Sequence, residues 1–166
     1  MRTVIIGNSG SGKTYLANAL SNCATIPVIH LDHIFWEPGG FDIRRSPEGV
    51  AQLVAAGSKH RHWLVEGVFG HLAAHFLADA DRLIWLDLSW DLCEIRLQRR
   101  GSESKQHLGR EQSEDGLNQL LMWAKTYYSR SDSCSYSGHE TLFNTFRRTR
   151  YKLRTEAEVK AIIHQM

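Results

Sequence analysis

Gly7-Asn8-Ser9-Gly10-Ser11-Gly12-Lys13-Thr14 follows directly on the β-branched, apolar run Thr3-Val4-Ile5-Ile6. It opens onto Tyr15, Leu16, Ala19 and Leu20, which recur at helical spacing. The stretch fits G-x-x-x-x-G-K-[ST] between a strand and a helix, the context in which that pattern has physical meaning. Glycines let the backbone wrap closely round an anion, and successive N–H groups with the helix N-terminus form a positively polarised nest. Lys13 can reach the outer phosphates and Thr14 can ligate Mg²⁺. Four fixed positions arise by chance in roughly one chain in a few hundred of this length, and the strand-to-helix setting lowers those odds further. The eight residues therefore point to binding of a nucleoside triphosphate with Mg²⁺. A dinucleotide fingerprint is excluded, because Tyr15 stands where the third glycine of G-x-G-x-x-G would fall.

Length and composition set the frame for that motif. With 166 residues and 42% apolar content, the chain can bury one substantial core but is short for two domains, so residues 1–166 are expected to form one. A formal net charge of +2 advertises neither nucleic acid nor an anionic membrane as partner, and any basic function must be local. Cys23, Cys93 and Cys134 are odd in number, widely spaced and without a C-x-x-C pair, which fits reduced thiols in the cytoplasm. No apolar run approaches a membrane span, and Met1 leads within two residues into the first strand, which leaves no room for a signal peptide.

The remaining elements alternate. Ile26 to Leu31 reads as a buried second strand that puts Asp32 at its end, and Ser46-Pro47 supplies an N-cap and N1 pair for a helix carrying Val50, Leu53 and Val54. Trp63-Leu64-Val65 forms a third strand ending at Glu66-Gly67, followed by a short helix over Leu72 to Ala78. Arg82 to Leu88 reads as a fourth strand, and Ser89 and Asp91 open a helix through Leu97. The polar interval from Gly101 to Ser113 carries Lys105 and Arg110 and reads as a mobile lid, before Leu117, Leu120, Leu121 and Ala124 return to helical spacing. Arg150 to Arg154 makes a last strand, and Thr155-x-x-Glu158 is a capping box for a terminal helix. Strands alternating with helices predict an α/β, three-layer fold with a parallel, five-stranded sheet.

With the phosphate motif at the N-terminus, this order resembles the adenylate-kinase-like group of small P-loop phosphotransferases, which includes nucleoside monophosphate, shikimate and gluconate kinases. Closer still, His30-Leu31-Asp32-x-x-Phe35-Trp36, Val65-Glu66-Gly67, Ile84-Trp85-Leu86-Asp87-Leu88, the Ser113-Glu114 helix start and Trp123 look like the short bacterial proteins named for DNA topology modulation or flagellar regulation. The resemblance implies a carboxylate that holds Mg²⁺ at Glu66, where Asp is commoner. Two roles follow for Asp32: orienting or deprotonating an acceptor hydroxyl, or, for a phosphate acceptor, serving as a metal or binding contact. Arg96 and Arg100, four apart on one helix face, match the group's arginines that pack on the base and contact phosphate at the lid hinge. Arg110 would swing in with the lid as an internal arginine finger, its planar fork matching phosphate oxygens.

Other candidates carry bland readings beside functional ones. Phe35 and Trp36 could stack on an acceptor ring or belong to the core, and Arg44 and Arg45 could bind an acidic acceptor. His71 and His75 share a helix face, yet no H-E-x-x-H or third ligand accompanies them. The run Arg147, Arg148, Arg150, Tyr151, Lys152, Arg154, with Phe143 and Phe146 upstream, could track a nucleic-acid backbone or simply flank an exposed strand. The reading that unites the motifs is an ATP- and Mg²⁺-dependent phosphotransferase acting on a small molecule. Its rivals are a nucleotide-gated regulator of nucleic acid and an ATPase with water as acceptor.

Overall fold

The computed structural model describes residues 1–101 and 113–165, leaving aside the side chains of residues 23 and 24. Its core is a five-stranded parallel sheet formed by β1 (Arg2–Gly7), β2 (Val28–His30), β3 (Trp63–Gly67), β4 (Arg82–Leu86) and β5 (Thr149–Leu153), in the order β2-β3-β1-β4-β5. Thr3, Val4, Ile5 and Ile6 of the central strand are wholly buried, as a near-continuous apolar run in a sheet covered on both faces requires.

The helices are α1 (Lys13–Ala24), α2 (Leu31–Phe35), α3 (Pro47–Ser58), α4 (Gly70–Leu77), α5 (Trp90–Arg100), α6 (Glu114–Lys125), α7 (Tyr136–Thr145) and α8 (Glu156–Gln165), with a 3₁₀ turn over Thr126–Tyr128. Strand alternation sorts the core. Ile5, Leu64, Ile84 and Leu86 face α1 and α8, where Leu16, Leu20, Val159 and Ile162 meet them. Val4, Ile6, Trp63, Val65 and Trp85 face the opposite way, toward Ile34, Phe69, Phe76 and Phe146.

Local chemistry explains most boundaries. Ser46 caps α3 by accepting from Gly49 N at 3.1 Å, with Pro47 in the first turn. Glu158 accepts from the N–H groups of Arg154 and Thr155 while its own N–H donates to Thr155 Oγ1, completing the capping box of α8.

Two strand expectations are corrected. The second strand is shorter than Ile26 to Leu31: it ends at His30, and Leu31 begins α2, packing so closely on β3 that a Cβ on Gly67 would lie 2.6 Å from Leu31 Cβ. Asp32 thus sits in the first turn of a helix rather than at a strand end. The fourth strand stops at Leu86, two residues before Leu88. The segment before the basic run is helix α7, started by Ser135 accepting from Gly138 N at 3.2 Å and packing Tyr136, Leu142 and Phe143 on the core.

Close backbone packing fixes where α4 and α7 begin. A Cβ on Gly70 would meet Ser133 O at 2.0 Å, and one on Gly138 would meet Asp132 O at 2.4 Å, so a single loop presses on the first turns of both helices. Arg45 does a related job for α2. Its guanidinium donates to His33 O, Ile34 O and Trp36 O at 2.9–3.2 Å and to Glu37 at 2.8 Å, satisfying carbonyls that the end of a short helix leaves open.

Candidate functional site

Connections leave β1 and β3 in opposite directions, because β1 leads outward to β2 while β3 crosses to β4 on the far side of β1. The carboxyl ends of these two strands border the crevice in which open α/β sheets bind ligands. Gly7 to Thr14 turns over that crevice. Gly10 (φ 79°) and Gly12 (φ 94°) hold left-handed backbone, and a Cβ on Gly10 would lie 2.4 Å from Cys93 O of α5, so only glycine closes the turn against that helix.

Inside the turn Lys13 Nζ donates to Asn8 O at 2.8 Å and the side chain is largely buried. Thr14 Oγ1 donates to Glu66 Oε1 at 3.1 Å across the β1–β3 gap. The same carboxylate oxygen lies 2.7 Å from His30 Nδ1, on the strand beyond, where His30 is the register neighbour of Glu66. Burial pushes the Glu66 carboxyl up, but the His30 hydrogen bond and the Lys13 charge outweigh burial and the nearby Asp32, holding it below the usual carboxylate range. Glu66 is thus an ionised oxygen donor beside a hydroxyl, a set that suits a hard cation such as Mg²⁺. The buried Ser11 Oγ has no hydrogen-bond partner among the described residues, as a cradle awaiting a polar ligand provides.

The predicted nucleotide residues divide by role. The Asn8 side chain turns away from the crevice: Nδ2 donates to Ala124 O of α6 at 2.9 Å, and Oδ1 accepts from Ser9 N at 2.8 Å. Arg96 braces the loop, donating to Ser11 O at 3.0 Å and pairing with Glu156 of α8 at 2.5 Å. It also lines a cavity of about 370 Å³ with Gly10, Gly12, Tyr15, Arg99, Arg100, Glu156, Val159 and Lys160. Arg100 ends α5 at the rim of this cavity. Partial desolvation draws its guanidinium down, opposed by the carboxylates of Glu66 and Asp32, so all three groups share one electrostatic neighbourhood. Arg110 and the lid expected over residues 101–113 lie, apart from the two end residues, outside the described residues.

No protein-family model matches this chain, and no curated protein sequence matches it. Among solved structures it is similar to the shikimate kinase from Bacteroides thetaiotaomicron, with a TM-score of 0.55 and 14% identity over 99% of this chain and 95% of that one. It is also similar to a gluconokinase from Sinorhizobium meliloti 1021, with a TM-score of 0.51 and 14% identity over 99% of this chain and 87% of that one. The fold is that of small P-loop kinases. At this identity the likeness extends to architecture and no further.

Two groups of candidates are drawn into structural work. Arg45 is committed to α2, while Arg44 stays exposed over the Phe35 ring at 5.5 Å. Phe35 stacks on Phe69 with centroids 4.2 Å apart, joining the core margin. In the C-terminal basic run, Arg148 donates to Ala78 O and Ala80 O, and Arg150 donates to Phe143 O and Asn144 O. Lys152 and Arg154 flank Asp87 at 3.4 and 3.6 Å. His71 lies 3.1 Å from Ser133 Oγ, and burial, with help from His75, keeps its pKa low.

The sequence motif that contains His30 assigns it no role. Its signal was position: it ends β2, level with Glu66 near the end of the neighbouring β3.

Proposed function

We propose that this protein is an ATP- and Mg²⁺-dependent phosphotransferase acting on a small acceptor. The observation that carries the reading is the convergence of Thr14 Oγ1 and the buried Glu66 carboxylate, 3.1 Å apart beside Lys13, at the carboxyl ends of β1 and β3. Phosphoryl transfer asks a protein mainly to hold oxygens in line and to neutralise developing charge, and this arrangement supplies both. The backbone N–H groups of the glycine-rich turn would cradle the phosphates, and Thr14 and Glu66 would hold Mg²⁺, which neutralises phosphate charge. Lys13 and Arg100 would stabilise charge on the transferred group, with Arg110 as the internal finger. The cavity between Tyr15, Arg96 and Val159 suits the nucleoside part of ATP. Asp32 takes the acceptor, accepting the proton of a hydroxyl or, for a phosphate acceptor, serving as a binding contact.

The closer likeness to proteins named for DNA topology modulation carries the alternative, a nucleotide-binding regulator of nucleic acid. The guanidinium groups of Arg148 and Arg150 already hold backbone carbonyls, which favours the kinase reading.

An ATP-consumption screen over nucleosides, nucleotides and small hydroxy acids tests it. Turnover should rise with one acceptor class and fall by about two to three orders of magnitude or more in Lys13→Ala, the scale for removing a charge-stabilising donor, while the ligand-free melting temperature holds. Undiminished turnover in a folded Lys13→Ala protein would sink the proposal. Salt-dependent DNA binding that responds to ATP without a phosphorylated product would replace it with the regulator.

A further inference from the structure

We infer that His30 is a positioning residue whose Nδ1–H fixes the rotamer of Glu66 for metal binding. The inference rests on the phosphotransferase reading and deepens its metal site. Glu carries one more methylene, and one more rotor, than Asp. A longer carboxylate can meet Thr14 in several poses, or retract from it, unless something holds it.

His30 supplies the hold. It ends β2 in register with Glu66, so the backbones of two paired parallel strands place the imidazole against the carboxylate. Nδ1 lies 2.7 Å from Oε1, the oxygen that also accepts from Thr14 at 3.1 Å. An ionised carboxylate can only accept, so His30 carries a proton on Nδ1 in this contact. The His30 ring is largely enclosed and Glu66 almost wholly so, which makes the bond an interior one in low dielectric. His30 also touches His33 of α2 edge to face, with centroids 5.3 Å apart, so its ring plane is held from the acceptor side as well. The metal-holding carboxylate and the helix that carries Asp32 therefore share one brace.

Amide isosteres make the test specific. Asn at position 30 places its Nδ2 donor where imidazole Nδ1 lies, whereas Gln places its amide nitrogen where Nε2 lies. Mn²⁺ binding is read by its electron paramagnetic resonance signal in the presence of a non-hydrolysable ATP analogue, and analogue binding alone is read in EDTA. His30→Ala should weaken Mn²⁺ about 10–100-fold, the usual effect of losing a group that orients a metal ligand, while analogue affinity in EDTA stays unchanged. His30→Asn should restore most of the Mn²⁺ affinity and His30→Gln should not. Equal Mn²⁺ binding by wild type and the Ala variant, or equal rescue by Asn and Gln, would overturn the role. Wild type that holds the analogue but no Mn²⁺ would remove the positioning role and leave nucleotide binding standing. Wild type that holds neither would remove the phosphotransferase reading with it.

Discussion

On one face of the sheet, α1 and α8 lay Leu16, Leu20, Val159 and Ile162 against Ile5, Leu64, Ile84 and Leu86. On the other, several helices and a 3₁₀ turn set Trp63, Phe69, Phe76, Trp85 and Phe146 together, with Tyr127 and His139 also buried on this side. The aliphatic face needs only area and fit. The aromatic face also needs a polar chain to fix its parts. Trp85 Nε1 donates to Tyr127 OH at 3.1 Å, Tyr127 OH lies 2.7 Å from His139 Nδ1, and His139 Nε2 lies 2.9 Å from Val68 O. Since a carbonyl only accepts, His139 carries its proton on Nε2 and receives the tyrosine hydroxyl at Nδ1. That relay ties β4, the 3₁₀ turn and α7 to the loop just after Glu66. Apolar packing suffices on the face covered by two helices, and directional bonds appear on the face where several elements must be fixed against one another.

The largest expected effect probes the chemistry on the aromatic side. Once an acceptor hydroxyl is identified, Asp32→Asn should cut turnover by about 10²–10⁴, the scale for a lost general base, with ATP affinity held within a few-fold. Near wild-type turnover would take Asp32 out of the reaction, and recovery at raised Mg²⁺ would reassign it to the metal.

Next comes the aliphatic side, where Leu16 is wholly buried. Leu16→Ala should cost about 2–5 kcal/mol in denaturant unfolding, from lost transfer energy and the cavity left behind. The loss should be the same from about pH 7 to pH 4, because nothing at that contact titrates. A pH-dependent loss would break the contrast between the faces.

The smallest effect sharpens it. Burial lowers the His139 pKa from 6.5 to about 4, so the native state holds fewer protons than the unfolded chain throughout that interval. Its stabilising contribution is complete above the unfolded value and is lost as pH falls through the window toward the folded value. Wild type should therefore lose on the order of 3 kcal/mol more than His139→Gln between about pH 7 and pH 4. Parallel stability profiles would show that the imidazole is not kept neutral in the core.

This contrast also explains what was legible. The P-loop, α1, β3 and α8 follow from local rules: a fixed motif, β-branched runs, apolar spacing and a capping box. The aromatic side defeats those rules. Helix α2 is a single turn of five residues whose Leu31 continues an apolar run that looks extended, yet β2 ends at His30 and Leu31 packs closely on Gly67. Helix α7 starts in Ser135-Tyr136-Ser137-Gly138, weak helix formers that tertiary contacts override. The same holds at the site. Lys13, Thr14 and Glu66 were legible because motif and strand end place them, whereas the His30 contact depends on strand order, which no local window contains.

The loop at Asp132 and Ser133 carries a lesson for mutational maps. Gly70 and Gly138 touch no proposed ligand group, yet a methyl at either position would run into that loop's backbone, and backbone yields far less readily than a side-chain tip. In a saturation screen scored on growth or activity, both positions should be as intolerant as Gly10 of the phosphate turn. A selection that equates intolerance with ligand contact would count this joint between α4 and α7 as ligand-binding surface. Scoring abundance beside activity separates the two, since the joint glycines should lower the amount of folded protein and Lys13 should not.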